Sequence, residues 1–334
     1  MLTAPAPAST ALVGVDLGGT KIAAALVGPD GAVLGPLRSR PTPAHDGPAA
    51  MLDAIAALVL EVLQQGTSQD PGAPVRPLAV GIGSAGVIDP RTGTVVSATD
   101  AITGWPGTAV AAGVCQRLQE AGVNDGVPLH VHVDNDVNAY AAGEAWLGAG
   151  AGADSALVVA VGTGVGGAVV LGGRLHHGAH FLAGEMGHMP SGAAAQETCT
   201  CGRPGHLEAV AAGPQIARRY REATGAAQVT TALQVERLAE AGDATAKRVY
   251  QEAAVALGQA VAAVVTVLDP HKVIVSGGLA RSGELWWGPL RQTVRRELVD
   301  LVAQDLELVP AVLGTNAPII GAAHEAWLTL PSRP

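Results

Sequence analysis

Four side chains between 188 and 206 are chemically suited to hold a metal. They are His188, Cys199, Cys201 and His206. Two thiolates and two imidazoles suit tetrahedral zinc, and four protein ligands leave no open position, which makes such a centre structural. The alternative is two core cysteines and two surface histidines. Their clustering in a glycine-rich stretch favours the metal. Glu185 and Glu208 bracket the group. The spacing is not that of a common zinc finger, so it specifies a zinc loop and no activity.

A second set of residues could handle phosphate. Three glycine turns follow buried apolar runs: Gly18-Gly19-Thr20-Lys21, Gly162-Thr163-Gly164 and Ser276-Gly277-Gly278. Consecutive backbone N–H groups in such turns make an anion-binding concavity. None of the turns matches the G-x-x-x-x-G-K-[ST] pattern, which excludes a P-loop enzyme. Asp16 directly precedes the first turn and could hold Mg²⁺ through water, since that ion takes one or two carboxylates plus substrate phosphates. It could instead cap the turn. Asn135 and Asp136 stand where an apolar run gives way to a helical pattern. A carboxylate there could accept the proton of an attacking hydroxyl, or it could simply cap the helix.

These residues need strands and helices to hold them. Residues 11–40 read as three strands, with GGTK a tight turn and Pro29-Asp30-Gly31 a hairpin. Helical spacing predicts a helix over 47–65, and a Pro/Gly/Ser-rich connection covers 66–77. LAVGIGSAG is a buried strand, a helix surrounds 107–122, and 129–135 is a strand feeding a helix from Asp136. Alternating strands and helices suggest parallel pairing. The opening pattern then returns over 154–178 as strand, glycine turn, strand, hairpin, strand. The repetition suggests a duplicated fold with a cleft between its halves. Further on come a helix from Pro214 to Gly225, a long helix from Asp243 to Leu268, and a strand at 272–278. A helix over 283–302, a strand at 306–313 and a helix at 318–328 complete the chain.

At 334 residues the chain can form two domains with a large core. Apolar residues make up 48% and aromatics 3%, so Ala, Val, Leu and Ile must build that core. A net charge of −9 argues against nucleic acid or an anionic membrane as partner. Three cysteines form no disulfide framework, and a reducing cytoplasm suits them. Residues 1–10 read as a flexible tail without a signal peptide. The longest apolar run, 253–268, contains Gln259 and suits a buried helix better than a membrane span.

The motifs VGVDLGGTK, GIGSAGVID, VDNDVNAYAAGE, VAVGTGVGGAVV, GEMGH, CTCGRPGHLE and VIVSGG occur in an order that resembles the ROK family of bacterial sugar kinases and sugar-responsive repressors. The resemblance runs from about residue 11 to 328. It implies an α/β, two-domain, actin-like (ribonuclease H-like) sugar-kinase fold. The small domain would be 11–135 plus 318–330. The large one would be 136–317, with the zinc loop at 188–206. It further implies ATP with Mg²⁺ and phosphorylation of a hexose or amino sugar at the 6-hydroxyl, glucose first. Asp136 would be the general base. Gly86, Asn135, Asp136, Glu185, His188 and Glu208 would bind the sugar. Gly18, Gly19, Thr20, Lys21, Thr163, Gly164, Gly277 and Gly278 would bind ATP. Asp16 would serve Mg²⁺, and His188, Cys199, Cys201 and His206 a structural Zn²⁺. His206 stands where the family usually has a fourth-ligand cysteine. Loop residues Ser84, Ala85, Thr103, Trp105 and His180 are candidates for sugar selectivity. By resemblance the protein is a homodimer or homotetramer. N-acetylglucosamine and N-acetylmannosamine are alternative substrates. A sugar-sensing regulator or a non-catalytic sugar-binding protein is the reading from another class. The acidic chain, and only about ten residues before its first strand, argue against DNA binding.

Overall fold

Short runs of Val, Ala, Leu and Ile, each broken by glycine, form the strands of two sheets. The computed structural model describes residues 9–67, 70–71 and 75–331. Within these the chain divides into two units, Met1–Ala151 with Leu313–Pro334, and Gly152–Val312. In the first unit β1 (Ser9–Leu17), β2 (Lys21–Val27) and β3 (Arg38–Pro41) form an antiparallel meander. Then β4 (Val75–Ser84) pairs parallel with β1, and β7 (Val131–Asn135) pairs parallel with β4. The small hairpin of β5 (Val87–Asp89) and β6 (Thr94–Ser97) stands apart from this sheet. The sheet order is β3-β2-β1-β4-β7.

Strand residues point alternately to the two faces. Val13, Val15 and Leu17 join a core with α1 (Gly47–Gln65) and α2 (Val110–Glu120). Leu12, Ala25 and Ala79 pack instead with Ile319, Ala323 and Ala326 of α10 (Ala317–Leu328). This second face is unusually tight. A methyl group placed on Gly81 would lie 1.8 Å from the Ala322 carbonyl oxygen, and one on Gly321 would lie 1.9 Å from that of Ala139. Ala139 belongs to α3 (Asp136–Leu147). Glycine and alanine thus let two helices and a sheet approach almost backbone to backbone. That packing accounts for a core with so few aromatics.

The second unit repeats the plan. β8 (Ala156–Val161), β9 (Val165–Leu171) and β10 (Arg174–Leu175) are an antiparallel meander. β11 (Lys272–Ser276) pairs parallel with β8, and β12 (Glu307–Pro310) pairs parallel with β11. The order β10-β9-β8-β11-β12 matches that of the first sheet strand for strand. The expected duplication is therefore present at the level of topology. Leu157, Val159 and Val161 pack with α5 (Gly213–Thr224), α7 (Ala244–Leu268) and α8 (Glu284–Glu297).

Several elements differ from the sequence reading. The helix expected over 283–302 is two, because the chain is extended at Leu298 and Val299 before α9 (Asp300–Asp305). The reading did not include α6 (Ala232–Glu240), which opens with a capping box formed by Thr231 and Gln234. A one-turn helix, α4 (Glu208–Ala211), follows the metal stretch. The boundary between units falls at 151/152 and 312/313 rather than at 135/136 and 317/318. The close packing of α3 on α10 keeps α3 in the first unit. The tail at 1–10 and the connection at 66–77 lie partly outside the described residues, although Ser9 and Thr10 belong to β1. Both α1 and α7 are long and apolar enough to cross a membrane by length and composition. In the fold each buries one side against its own unit's core.

Candidate functional site

In the first unit the site residues gather at the C-terminal ends of β1, β4 and β7. Asp16 pairs in register with Gly83, and Ser84 with Asn135. A methyl on Gly83 would lie 2.8 Å from the Ala139 Cβ and 3.5 Å from the Asp136 Cα. Glycine there lets the start of α3 sit against β4. The first turn is closed by its own backbone, since the Gly18 N–H donates to the Lys21 carbonyl at 3.0 Å. Thr42 secures it by donating its hydroxyl to the Gly18 carbonyl at 2.7 Å. Asp16 accepts no hydrogen bond from the turn among the described residues. Burial pushes its carboxyl above the usual range, and Lys21 opposes that shift. A poorly solvated carboxylate beside a glycine turn suits a divalent cation.

Asn135, not Asp136, caps α3. Its side-chain oxygen accepts from the N–H groups of Val137 at 2.9 Å and Asn138 at 3.3 Å. Its side-chain amide donates to the Gly86 carbonyl at 2.9 Å. One residue thus ties the loop after β4 to the helix start. Gly86 has φ +102, and a methyl there would meet the Ser97 carbonyl oxygen at 2.8 Å. Asp136 occupies the first helical position, at the positive end of the helix dipole. Behind Asn135 lies a carboxylate the sequence reading missed. Asp134 is buried, accepting from the Asn138 amide at 2.8 Å and from the Asn135 N–H at 2.7 Å. Three polar residues closing an apolar strand were its signal. Among the selectivity candidates, Ser84 and Trp105 are fully buried. The Trp105 indole donates to the Ala85 carbonyl at 3.2 Å, so it shapes this loop from behind. Thr103 and His180 are exposed.

In the second unit the turn Gly162–Gly164 has two flanks. On one, Gly162 accepts from the Gly213 N–H at 2.8 Å, and a methyl at Gly162 would lie 3.9 Å from the Gly278 nitrogen. Gly277 has φ +87 and packs against the Val161 backbone. The second and third glycine turns are therefore neighbours. On the other flank Glu208 accepts the Val165 N–H at 3.0 Å. Glycine at 164 leaves room for this carboxylate, which a methyl would approach to 2.7 Å.

The four suspected ligands converge. One ligand atom from each of His188, Cys199, Cys201 and His206 lies within 4.8 Å of all the others. Cys201 Sγ is 3.2 Å from His206 Nδ1, and Cys199 Sγ is 3.9 Å from His188 Nδ1. A tetrahedral ion with bonds of roughly 2.0–2.3 Å needs donors about 3.3–3.8 Å apart, so the set fits with small adjustments. The other ring nitrogen of His188 lies 3.8 Å from the Glu185 carboxylate. Metal-bound histidines commonly direct their second nitrogen to such a group. Burial pushes the Cys199 thiol above its usual range. Backbone pairing supports the loop, with bridges between Pro190 and His206 and between Thr198 and Pro204. Glu197 anchors it to α5 through Arg218 at 2.6 Å. Burial raises the Glu185 carboxyl, His188 opposes this, and Glu208 adds to it. Two carboxylates and an imidazole thus share one polar patch beside the ligand set.

The ROK family profile matches residues 12–328. The chain is 33% identical to a glucokinase of Thermotoga maritima, across 93% of this chain and 96% of that one. The ROK hexokinase structure from Thermus thermophilus matches with a TM-score of 0.80 at 33% identity, covering 95% of this chain and 98% of that one. A ROK family glucokinase from Streptomyces griseus, solved with glucose and AMPPNP, matches with a TM-score of 0.74 at 33% identity and covers 94% and 98%. A match over nearly the whole length makes this chain a member of the ROK family with the two-domain, actin-like fold of its sugar kinases.

Proposed function

We propose that the protein is an ATP-dependent hexose kinase acting on the 6-hydroxyl, with glucose as the leading substrate. The observation that carries the reading is the division of roles at the start of α3. Asn135 caps the helix, and Asp136 stands beside it at the helix's positive end, one carboxylate oxygen accepting the Val137 N–H at 2.9 Å, in the position read as the base. Identity of 33% to a glucokinase over almost the full chain supports the substrate class. Asp136 accepts the 6-hydroxyl proton as that oxygen bonds to the γ-phosphorus. The bond from γ-phosphorus to the bridging oxygen breaks, and ADP leaves. Backbone N–H groups of the turns at 18–21, 163–164 and 277–278 hold the phosphates and stabilise charge on the moving phosphoryl group. Asn135 and the Gly86 loop orient the sugar, while Glu185, His188 and Glu208 accept or donate to its hydroxyls. Asp16 would hold Mg²⁺, which would neutralise phosphate charge as the phosphoryl group moves.

His188, Cys199, Cys201 and His206 fit a structural zinc. In that role they fix the hairpin carrying His188 and Glu208 and take no part in the chemistry. The thiols suit the cytoplasm, and the protein works as a homo-oligomer. The test is ADP release with ATP and Mg²⁺ over glucose, mannose, glucosamine, N-acetylglucosamine and N-acetylmannosamine. Glucose should exceed the others by more than about tenfold in kcat/KM. Preference for an acetylated amino sugar would overturn the substrate but keep the reaction. No turnover with zinc-replete protein would mean a rarer sugar or a sugar-sensing or sugar-binding role, which calorimetric titration with the same sugars separates.

A further inference from the structure

Glu208 is held at both of its oxygens, by two different segments. Its Oε2 accepts the N–H of Val165, the first residue of β9, at 3.0 Å. Its Oε1 accepts the hydroxyl of Thr200, the residue between the two cysteines of the metal hairpin. Cys199 Sγ also lies 3.8 Å from Oε1. As a metal-bound thiolate it would have no proton to donate, leaving Thr200 as the donor to that oxygen. Gly164 and Gly187 leave the carboxylate its space, since a methyl on either would lie 2.7 Å or 3.4 Å from Oε2.

An ionised carboxylate has about four lone-pair sites. With one engaged on each oxygen, one remains on each. That remainder matches two neighbouring hydroxyls of a sugar, each donating to its own oxygen. The match requires the carboxylate to be fixed in rotation. Val165 alone leaves it free to swing about that single bond, and Thr200 supplies the second point.

We propose that Thr200 is a positioning residue for sugar recognition. Carried by the metal hairpin, its hydroxyl fixes the rotation of the Glu208 carboxylate so that both oxygens meet a vicinal diol. This rests on Glu208 being a sugar ligand, as read above. It links hairpin and sugar through a hydrogen bond as well as through the backbone. The nucleotide side should be indifferent to Thr200, because the Val165 bond to Oε2 survives its removal.

The experiment is steady-state kinetics of the full-length, zinc-loaded protein carrying Thr200→Val, Thr200→Ser or Glu208→Gln, with zinc content measured on each. Thr200→Val keeps the shape and removes the donor. It should raise the KM for glucose about five- to tenfold. The KM for ATP and kcat should stay within about twofold, with zinc at the wild-type level. Thr200→Ser should restore the glucose KM. An unchanged glucose KM in Thr200→Val, beside a raised one in Glu208→Gln, overturns the role of Thr200 and leaves Glu208 a sugar ligand. An unchanged glucose KM in Glu208→Gln overturns the sugar-ligand reading itself. A raised KM in Thr200→Val accompanied by zinc loss, and not restored by serine, overturns positioning in favour of a purely structural part in the hairpin.

Discussion

Asn135 and Asp136 show how adjacent side chains are given different work by one helix start. Asn135 satisfies two N–H groups at the start of α3 and holds the Gly86 loop. Asp136 keeps a carboxylate where a hydroxyl proton could be taken. Asp136→Asn is expected to lower kcat by about a thousandfold, within the usual range for loss of a general base. Calorimetric titration should still find glucose affinity within about threefold. Near-normal turnover would remove Asp136 from that role. Asp16 carries a stability cost. Its carboxyl is raised by burial, so folding disfavours the ionised form. The cost grows as pH rises through the unfolded carboxyl's range and is complete only above the raised folded one. Asp16→Asn should therefore raise the melting temperature of the ligand-free protein at pH 7 while abolishing turnover. The gain should vanish as pH falls below the unfolded carboxyl's range, where Asp16 is protonated in both states. A lower melting temperature at pH 7 would contradict this account.

At the scale of elements, the tightest constraint is the contact of α3 and α10 with the first sheet. Gly81→Ala would drive a methyl into the Ala322 backbone, which no side-chain rotation can relieve. A loss of about 3 kcal/mol or more is expected, measured by urea unfolding against wild type. Glu144, near the end of α3, is a second such point. It is fully buried and accepts the Ala149 N–H at 2.9 Å and the Leu313 N–H at 2.8 Å. Both donors lie close to the places where the chain passes between the units, at 151/152 and 312/313. Glu144→Ala strands both N–H groups and should cost about 2–4 kcal/mol. Glu144→Gln, which keeps one acceptor oxygen, should cost clearly less. Equal losses in the two variants would mean that side-chain volume matters there and the hydrogen bonds do not.

For the whole molecule, two units of identical sheet order carry different extras. The first carries the proposed base, and the second carries the hairpin of the proposed zinc ligands. Zinc should therefore matter to one unit in particular. Purified protein is expected to hold one zinc per chain by elemental analysis. Chelation should lower one calorimetric transition, that of the second unit, and raise the KM for glucose with little change for ATP. Cys201→Ser should do the same without a chelator. If metal-free protein keeps its melting profile and its glucose KM, the hairpin needs no ion and the structural role fails.

Much of this was already written in the order of residues along the chain. Glycine turns after apolar runs announced the strand ends. The Cys-x-Cys pair with its two histidines announced a Cys/His cluster. The recurring meander announced duplication. These features are local, and a few neighbouring residues suffice to specify them. Tertiary structure decided what depends on residues far apart in sequence. It assigned α3 to the first unit, because the Gly81, Ala139 and Gly321 contacts join segments from three distant stretches. It split the expected helix at Leu298, where the local pattern continues but the chain is extended. It buried Ser84 and Trp105 behind the Gly86 loop. It also joined Glu208 to Thr200 on one side and to Val165 on the other, a span of 43 residues. A carboxylate in a sequence shows its charge. Only the packed fold determines which of its lone pairs are already taken.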